Sequence, residues 1–294
     1  MIISMFIIYN IFRFFAWLIS KLPFCLLYII SDILYFLIYY LVGYRKKVTF
    51  NNLRNSFPDK SDKEIKSIAK KFYMNFSDTI MEVIKIRSIT KKSLNKRVRF
   101  NNFEIIEELY KRNKNVFITL GHCGNWEWLG LNVSLNALHS PFAIVKPLNN
   151  PFFEKYITKL RTKYYNNLIP IKQTYRTLIN NKNELCFVLI VSDQSPAKSE
   201  INHWTTFLNQ ETPVYLGTEK ISKALDYAVV FSDIQRIKRG YYEVTVMEIT
   251  DNPKETTEYE ITEKYYRLLE EAIKKHPDNW LWSHRRWKHK KVDN

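Results

Sequence analysis

The chain has 294 residues, 46% of them hydrophobic and 15% aromatic. That length suits one large α/β domain or two small ones, and the composition excludes a disordered chain. The net charge of +16 implies an anionic partner: nucleic acid, an anionic membrane or an acidic carrier. Of the three cysteines, Cys25, Cys123 and Cys186, none forms a C-x-x-C pair. A disulfide framework and a structural zinc site are thereby disfavoured, and a reducing compartment fits better.

Residues 1–44 carry only three charged side chains, Arg13, Lys21 and Asp32. The run Leu22–Gly43 is interrupted only by Ser31 and Asp32, and at ~1.5 Å per residue it can cross a ~30 Å hydrocarbon core. It is too long for a signal peptide and lacks a small-residue cleavage site. Apolar residues occupy all its faces, which favours membrane insertion or deep interfacial burial over a buried helix pair. Asp32 requires protein or headgroups on its side of the helix. Tyr44-Arg45-Lys46-Lys47 follows, and by the positive-inside rule that end stays in the cytoplasm. Residues 1–44 are therefore expected to be an anchor and 45–294 the functional domain.

Residues 45–99 hold 16 Lys/Arg against 5 Asp/Glu. Within them, Ser61 to Ile86 reads as a helix with apolar positions Ile65, Ile68, Phe72, Phe76, Ile80 and Ile84 and a Ser61-x-x-Glu64 capping box. Its Lys-rich face is either simply solvated or set against anionic headgroups. Strand-length apolar runs follow at Asn115–Leu120, Phe142–Lys146, Leu185–Ser192, Ala228–Ser232 and Tyr242–Glu248. Helical patterns lie between them, near Phe103–Asn113, Trp126–Leu138, Phe152–Tyr165, Thr174–Asn180 and Val214–Leu225. A last helix runs from about Glu258 to Lys275, with Thr257-x-x-Glu260 as its capping box. This alternation predicts an α/β fold: a central mixed sheet flanked by helices, with an N-terminal membrane-associated segment.

The most informative stretch is Thr119-Leu120-Gly121-His122-Cys123-Gly124-Asn125-Trp126-Glu127-Trp128. A strand enters a turn with two glycines and a helix follows; sites in open α/β sheets gather at such strand ends. With His122 in the turn and Glu127 in the first helical turn, a carboxylate on one ring nitrogen leaves the other to take a proton from a hydroxyl. N–H groups at the helix start can face an oxyanion. An H-x-x-x-x-E spacing alone is common by chance, and the bland alternative is a surface histidine with a first-turn glutamate. The rival in which Cys123 attacks as a thiolate with His122 as base is poor, because adjacent side chains diverge. A metal site lacks a third ligand.

Across Gly121–Glu127 the chain resembles the bacterial lipid A late acyltransferases, a family within the H-x-x-x-x-[DE] acyltransferases. The resemblance covers nearly the whole chain. Val48–Pro58 is similar to the family's N-L-x-x-x-F-P segment, Lys146–Pro151 followed by Arg161 to its second block, Asp193-Gln194 to its D-Q pair, and Trp280–Trp287 to its W-x-W-x-H-R-R-W ending. It implies transfer of an acyl chain from acyl carrier protein to a hydroxyl of a lipid A precursor, on the cytoplasmic side of the bacterial inner membrane. By position it makes His122 the general base and Glu127 its orienting partner. It puts Arg161 and Lys146 on phosphate or the thioester oxyanion, with Gly124, Asn125, Asp193, Gln194, Arg285 and Arg286 as further binding or oxyanion candidates. No metal or cofactor is implied. The chain departs from the family at Lys146, often Arg, and at Phe207-Leu208-Asn209, where Phe-Phe-Gly is common.

Asp193 alone reads equally as a loop cap or a site residue. Trp280–Lys291 interleaves three Trp with five Lys/Arg, a pattern of single-stranded nucleic-acid binders, membrane interfaces or a packed Trp cluster. The last is favoured, with Arg285 or Arg286 presented to an anionic lipid, and no nucleic-acid partner is expected. His139, His203, His276, His284 and His289 read as surface or structural. The alternatives are the same chemistry on a lysophospholipid or aminolipid, and a non-catalytic basic protein of the membrane surface.

Overall fold

The computed structural model describes residues 2–164 and 167–291. In chain order the elements are α1 (Ile2–Lys21), α2 (Phe24–Phe36) running into a π-helical turn (Leu37–Leu41), α3 (Lys46–Ser56), α4 (Asp62–Lys85), α5 (Lys91–Arg97), β1 (Val98–Asn101) and α6 (Glu104–Lys111). Next come β2 (Val116–Leu120), α7 (Trp126–Asn136), β3 (Ser140–Val145), α8 (Pro151–Arg161), β4 (Asn167–Pro170), α9 (Thr174–Asn180) and β5 (Cys186–Val191). The chain ends with β6 (His203–Phe207), β7 (Gln210–Val214), α10 (Gly217–Leu225), β8 (Ala228–Lys238), β9 (Tyr241–Thr250) and α11 (Glu260–Lys275).

The central sheet has the order β1-β9-β8-β2-β5-β3-β4. Every pairing is parallel except the β8–β9 hairpin. It is the mixed sheet that the alternating pattern predicts. β2 lies between β8 and β5, and all five of its residues are buried, as a parallel strand covered on both faces by helices requires.

The Ser61 box caps α4 as expected: the Ser61 N–H donates to Glu64, and the Glu64 N–H to the Ser61 hydroxyl. At α11 only half a box forms. Thr257 donates to Glu260, but the helix starts at Glu260, behind a left-handed Tyr259. α3, α5, β1, β4 and the β6–β7 hairpin were not legible as elements. The helix expected from Val214 begins at Gly217, because Gln210–Val214 pairs with β6. The hairpin turns on Leu208 and Asn209, both left-handed, where Asn tolerates the conformation better than Leu. Tyr165, the last residue of the helix expected over Phe152–Tyr165, lies outside the described residues.

Of the described helices, one is long and apolar enough to cross a membrane: the stretch Phe24–Leu41, with a mean hydropathy of 2.0. One stripe of it faces protein. The Tyr28 hydroxyl donates to Glu82, the Ser31 hydroxyl to Asp78, and Asp32 accepts from Arg239 in the β8–β9 turn. Asp32 therefore faces protein. Leu26, Ile29, Ile33, Phe36, Leu37 and Leu41 remain exposed.

Candidate active site

β2 and β5 are adjacent parallel strands, with Leu120 opposite Val191. Two residues beyond each strand end stand His122 and Asp193. His122 Nδ1 lies 2.5 Å from Asp193 Oδ1. Asp193 Oδ2 accepts the His122 backbone N–H at 2.9 Å and the Trp280 indole N–H at 2.6 Å. Burial alone would raise the pKa of this carboxyl, which is 2% exposed. The adjacent imidazole and the donated hydrogen bonds outweigh burial and hold it at about 2. In the neutral imidazole an ionised Asp193 accepts from Nδ1–H, which leaves the lone pair on Nε2. The Gln194 amide nitrogen, 3.2 Å away, donates to it.

The loop allows this approach through its glycines. A Cβ on Gly121 would come within 2.5 Å of Leu269. Gly124 has φ +51°, and a Cβ there would press on the Tyr242 ring at 3.3 Å. The Trp126 ring packs edge-on against His122 at 4.9 Å.

The expected His122–Glu127 contact is not made. The Glu127 carboxylate instead receives Arg161, from the end of α8, at 2.6 Å through Nη2 and 3.0 Å through Nε. The reason is local. The Asn125 side chain accepts the Trp128 N–H and starts α7, so Glu127 projects from a helix while the preceding loop carries His122 towards β5. Arg161 is thereby held in place by Glu127.

Other expectations are also corrected. Asn125 is fully buried, and its amide N–H donates to Glu82, so its side chain is occupied by structure. The N–H groups of Cys123 and Gly124 donate to Gly121 O and Asn279 O, so neither faces an oxyanion. Arg286 is fully buried, with Nη2 on Pro213 O and the Tyr266 hydroxyl, and cannot reach a lipid surface. Trp280, Trp282 and Trp287 do form the packed cluster, and Arg285 is exposed. Lys146 is exposed just beyond β3. The Cys123 thiol is buried and pushed far up by burial and by Asp193, against thiolate attack.

His122 opens onto a small cavity walled by Phe72, Phe76, Trp126, Tyr242, Trp280 and Leu281. Two neighbours of the loop were not assigned to it from the sequence: Trp280, read there as part of a motif and a packed cluster, and Glu82. Trp280 reaches Asp193 because Trp280 pairs with Cys123 in an isolated antiparallel bridge. Glu82, fully buried on α4, accepts from Tyr28, Asn125 and Tyr242 at 2.6–2.8 Å and ties the loop to α2 and β9. Burial raises its pKa despite these donors. The D-Q pair after an apolar strand was the one signal pointing to Asp193.

An imidazole with Nδ1 on a buried carboxylate and Nε2 on a side-chain amide, beside a small cavity at the C-terminal ends of two central strands of an α/β sheet, has a geometry suited to proton transfer. Over residues 2–289 the chain matches the bacterial lipid A biosynthesis acyltransferase family, and it belongs to that family. It is therefore an acyltransferase. No curated protein matches it.

Proposed function

We propose that the protein transfers a fatty acyl chain from an acyl carrier protein thioester to a hydroxyl of a lipid A precursor, with His122 as general base and Asp193 as its positioning partner. The observation that carries this reading is the His122–Asp193 contact, which favours the neutral tautomer with its proton on Nδ1 and its lone pair on Nε2. His122 Nε2 takes the proton of the acceptor hydroxyl where the Gln194 amide now donates. The oxygen attacks the thioester carbonyl; a C–O bond forms and the C–S bond breaks. The imidazolium returns its proton to the leaving thiolate. No metal or cofactor takes part. Arg161, aligned by Glu127, supplies positive charge to the oxyanion or to a phosphate.

The setting is the cytoplasmic face of the bacterial inner membrane. Supporting this are the exposed apolar face of α2, the Arg45-Lys46-Lys47 run behind it, and a basic surface suited to anionic lipids and an acidic carrier.

The test is mass spectrometry of lipids after incubating detergent-solubilised protein with carrier thioesters and a lipid A precursor, beside His122→Ala. A gain of one acyl chain with the wild type alone supports the reading. Acylation of lysophospholipids or aminolipids instead would replace the acceptor, and no product from folded protein on any acceptor would overturn the reading.

A further inference from the structure

A second, larger groove adjoins the His122 cavity. It has a volume of about 260 Å³ and lies between α4, the end of β8 and the segment that follows α11. Asn75, Arg236, Asp278 and Asn279 line both spaces, so the groove and the His122 cavity share a wall.

Two features of the wall indicate what it takes. The first is Asn279, which is 9% exposed. Its amide N–H groups reach Ile234 O at 2.8 Å and Gln235 Oε1 at 3.4 Å, which settles which end of the amide is oxygen. That oxygen has no hydrogen-bond partner among the described residues, and it lies beside Gly124 at the boundary of the two spaces. A buried acceptor of this kind calls for an O–H or N–H donor. The second feature is charge. Asp78 and Asp32 balance Arg236 and Arg239 through ion pairs at 2.5–2.7 Å. Lys71 and Lys238 then stand at the rim against Asp278, whose carboxylate already accepts from Asn75 at 2.8 Å.

The mouth adds a third feature. Met74 and Ile237 line it and are 42% and 61% exposed. Ile237 is two residues from Arg239, which is bonded to Asp32 on α2. The mouth of the groove is thus apolar and lies two residues from the turn that is bonded to the polar stripe of α2, so that a lipid-borne head can enter while its tails stay outside.

We propose that this groove is a subsite for a phosphate-bearing polar head, in which Lys71 and Lys238 bind the phosphate and Asn279 Oδ1 accepts from a neighbouring hydroxyl or amide N–H. It rests on the proposed acyl transfer. The phosphate has two sources: the headgroup of the lipid acceptor, or the phosphodiester of the thioester donor's arm.

The test is a Lys71→Gln/Lys238→Gln double variant of the full chain in detergent, assayed with each substrate varied in turn. Both lysines are exposed, so the fold should survive. The KM of the phosphate-bearing substrate should rise at least ~10-fold, more than kcat falls. If the source is the acceptor, a dephosphorylated acceptor raises the wild-type KM alike and cancels the variant's effect. If it is the donor, the donor KM rises and dephosphorylating the acceptor changes nothing. Unchanged KM for both substrates in an active variant overturns the subsite. Equilibrium binding of a phosphorylated glycolipid to His122→Ala, with and without the two lysine changes, reads the subsite without turnover. Failure of the wild type to transfer acyl groups thus remains distinguishable from failure of the subsite.

Discussion

His122 and Asp193 are 71 positions apart in the chain and 2.5 Å apart in space. Register alone achieves this. β2 and β5 run parallel with Leu120 opposite Val191, so the second residue beyond each strand arrives at the same place. Replacing Asp193 by Asn removes the ionised acceptor and lets an amide N–H face Nδ1, which favours the wrong tautomer. By analogy with other His–Asp pairs, kcat should fall by about four orders of magnitude while the fold survives. Steady-state rates with circular dichroism check this; an active Asp193→Asn enzyme would return the orienting role to another group.

The same carboxyl makes stability depend on acid. Its folded pKa of about 2 lies below the ordinary 3.8, so folding favours the ionised form. The contribution is complete above pH ~4 and lost as pH falls through about 2; the shift is worth roughly 2 kcal/mol. Denaturant unfolding at pH 5 and pH 2.5 should show Asp193→Asn less acid-sensitive than wild type.

Glu127 and Arg161 should behave as one unit. Glu127→Gln releases the guanidinium, and Arg161→Gln removes it. Each should lower the rate by about 10- to 1000-fold, and the double variant should be no worse than the slower single. Additive losses in that cycle would mean that Glu127 acts on something other than Arg161.

Cys123→Ala should leave the rate within about twofold of wild type, because a buried thiol with a raised pKa supplies no thiolate. Iodoacetamide at pH 8 should likewise leave Cys123 unmodified in the folded protein, as peptide mapping would show.

The polar stripe of α2 separates a deep ion pair from a shallow one. Asp78 is buried and shared by Arg236 and Arg239, whereas Asp32 is more than half exposed. Arg239→Ala should cost about 2–4 kcal/mol of stability, and Asp32→Ala less than ~1 kcal/mol. Thermal unfolding in detergent would rank the two, and the reverse order would show that α2 is not held through Asp78.

Much of this was legible in the chain itself, because local physics determined it. The spacing of Ile65 to Ile84 and the Ser61–Glu64 box define α4. Apolar runs bounded by polar turns define β2, β5, β8 and β9. The Gly121–Gly124 turn follows a strand, as read from the sequence, and carries His122 at the strand's C-terminal end. The resemblance to the family, shown by the match over residues 2–289, supplied the reaction class. Short elements escaped: β1 and β4 have four residues each, too few for a period to register.

Which carboxylate lies against His122 was decided only in three dimensions. Sequence proximity favoured Glu127, five residues away, but a helix start at Asn125 turns that side chain towards Arg161. Strand order and register bring Asp193, and the Trp280 indole, to the imidazole. The same holds for Arg286, a surface cation by composition and a core residue by packing, and for Asp32, an anomaly in an apolar run until Arg239 of the β8–β9 turn is placed beside it. Periodicity reports which face of an element is buried; it carries no information on which distant element covers that face, and the site is made of such distant pairs.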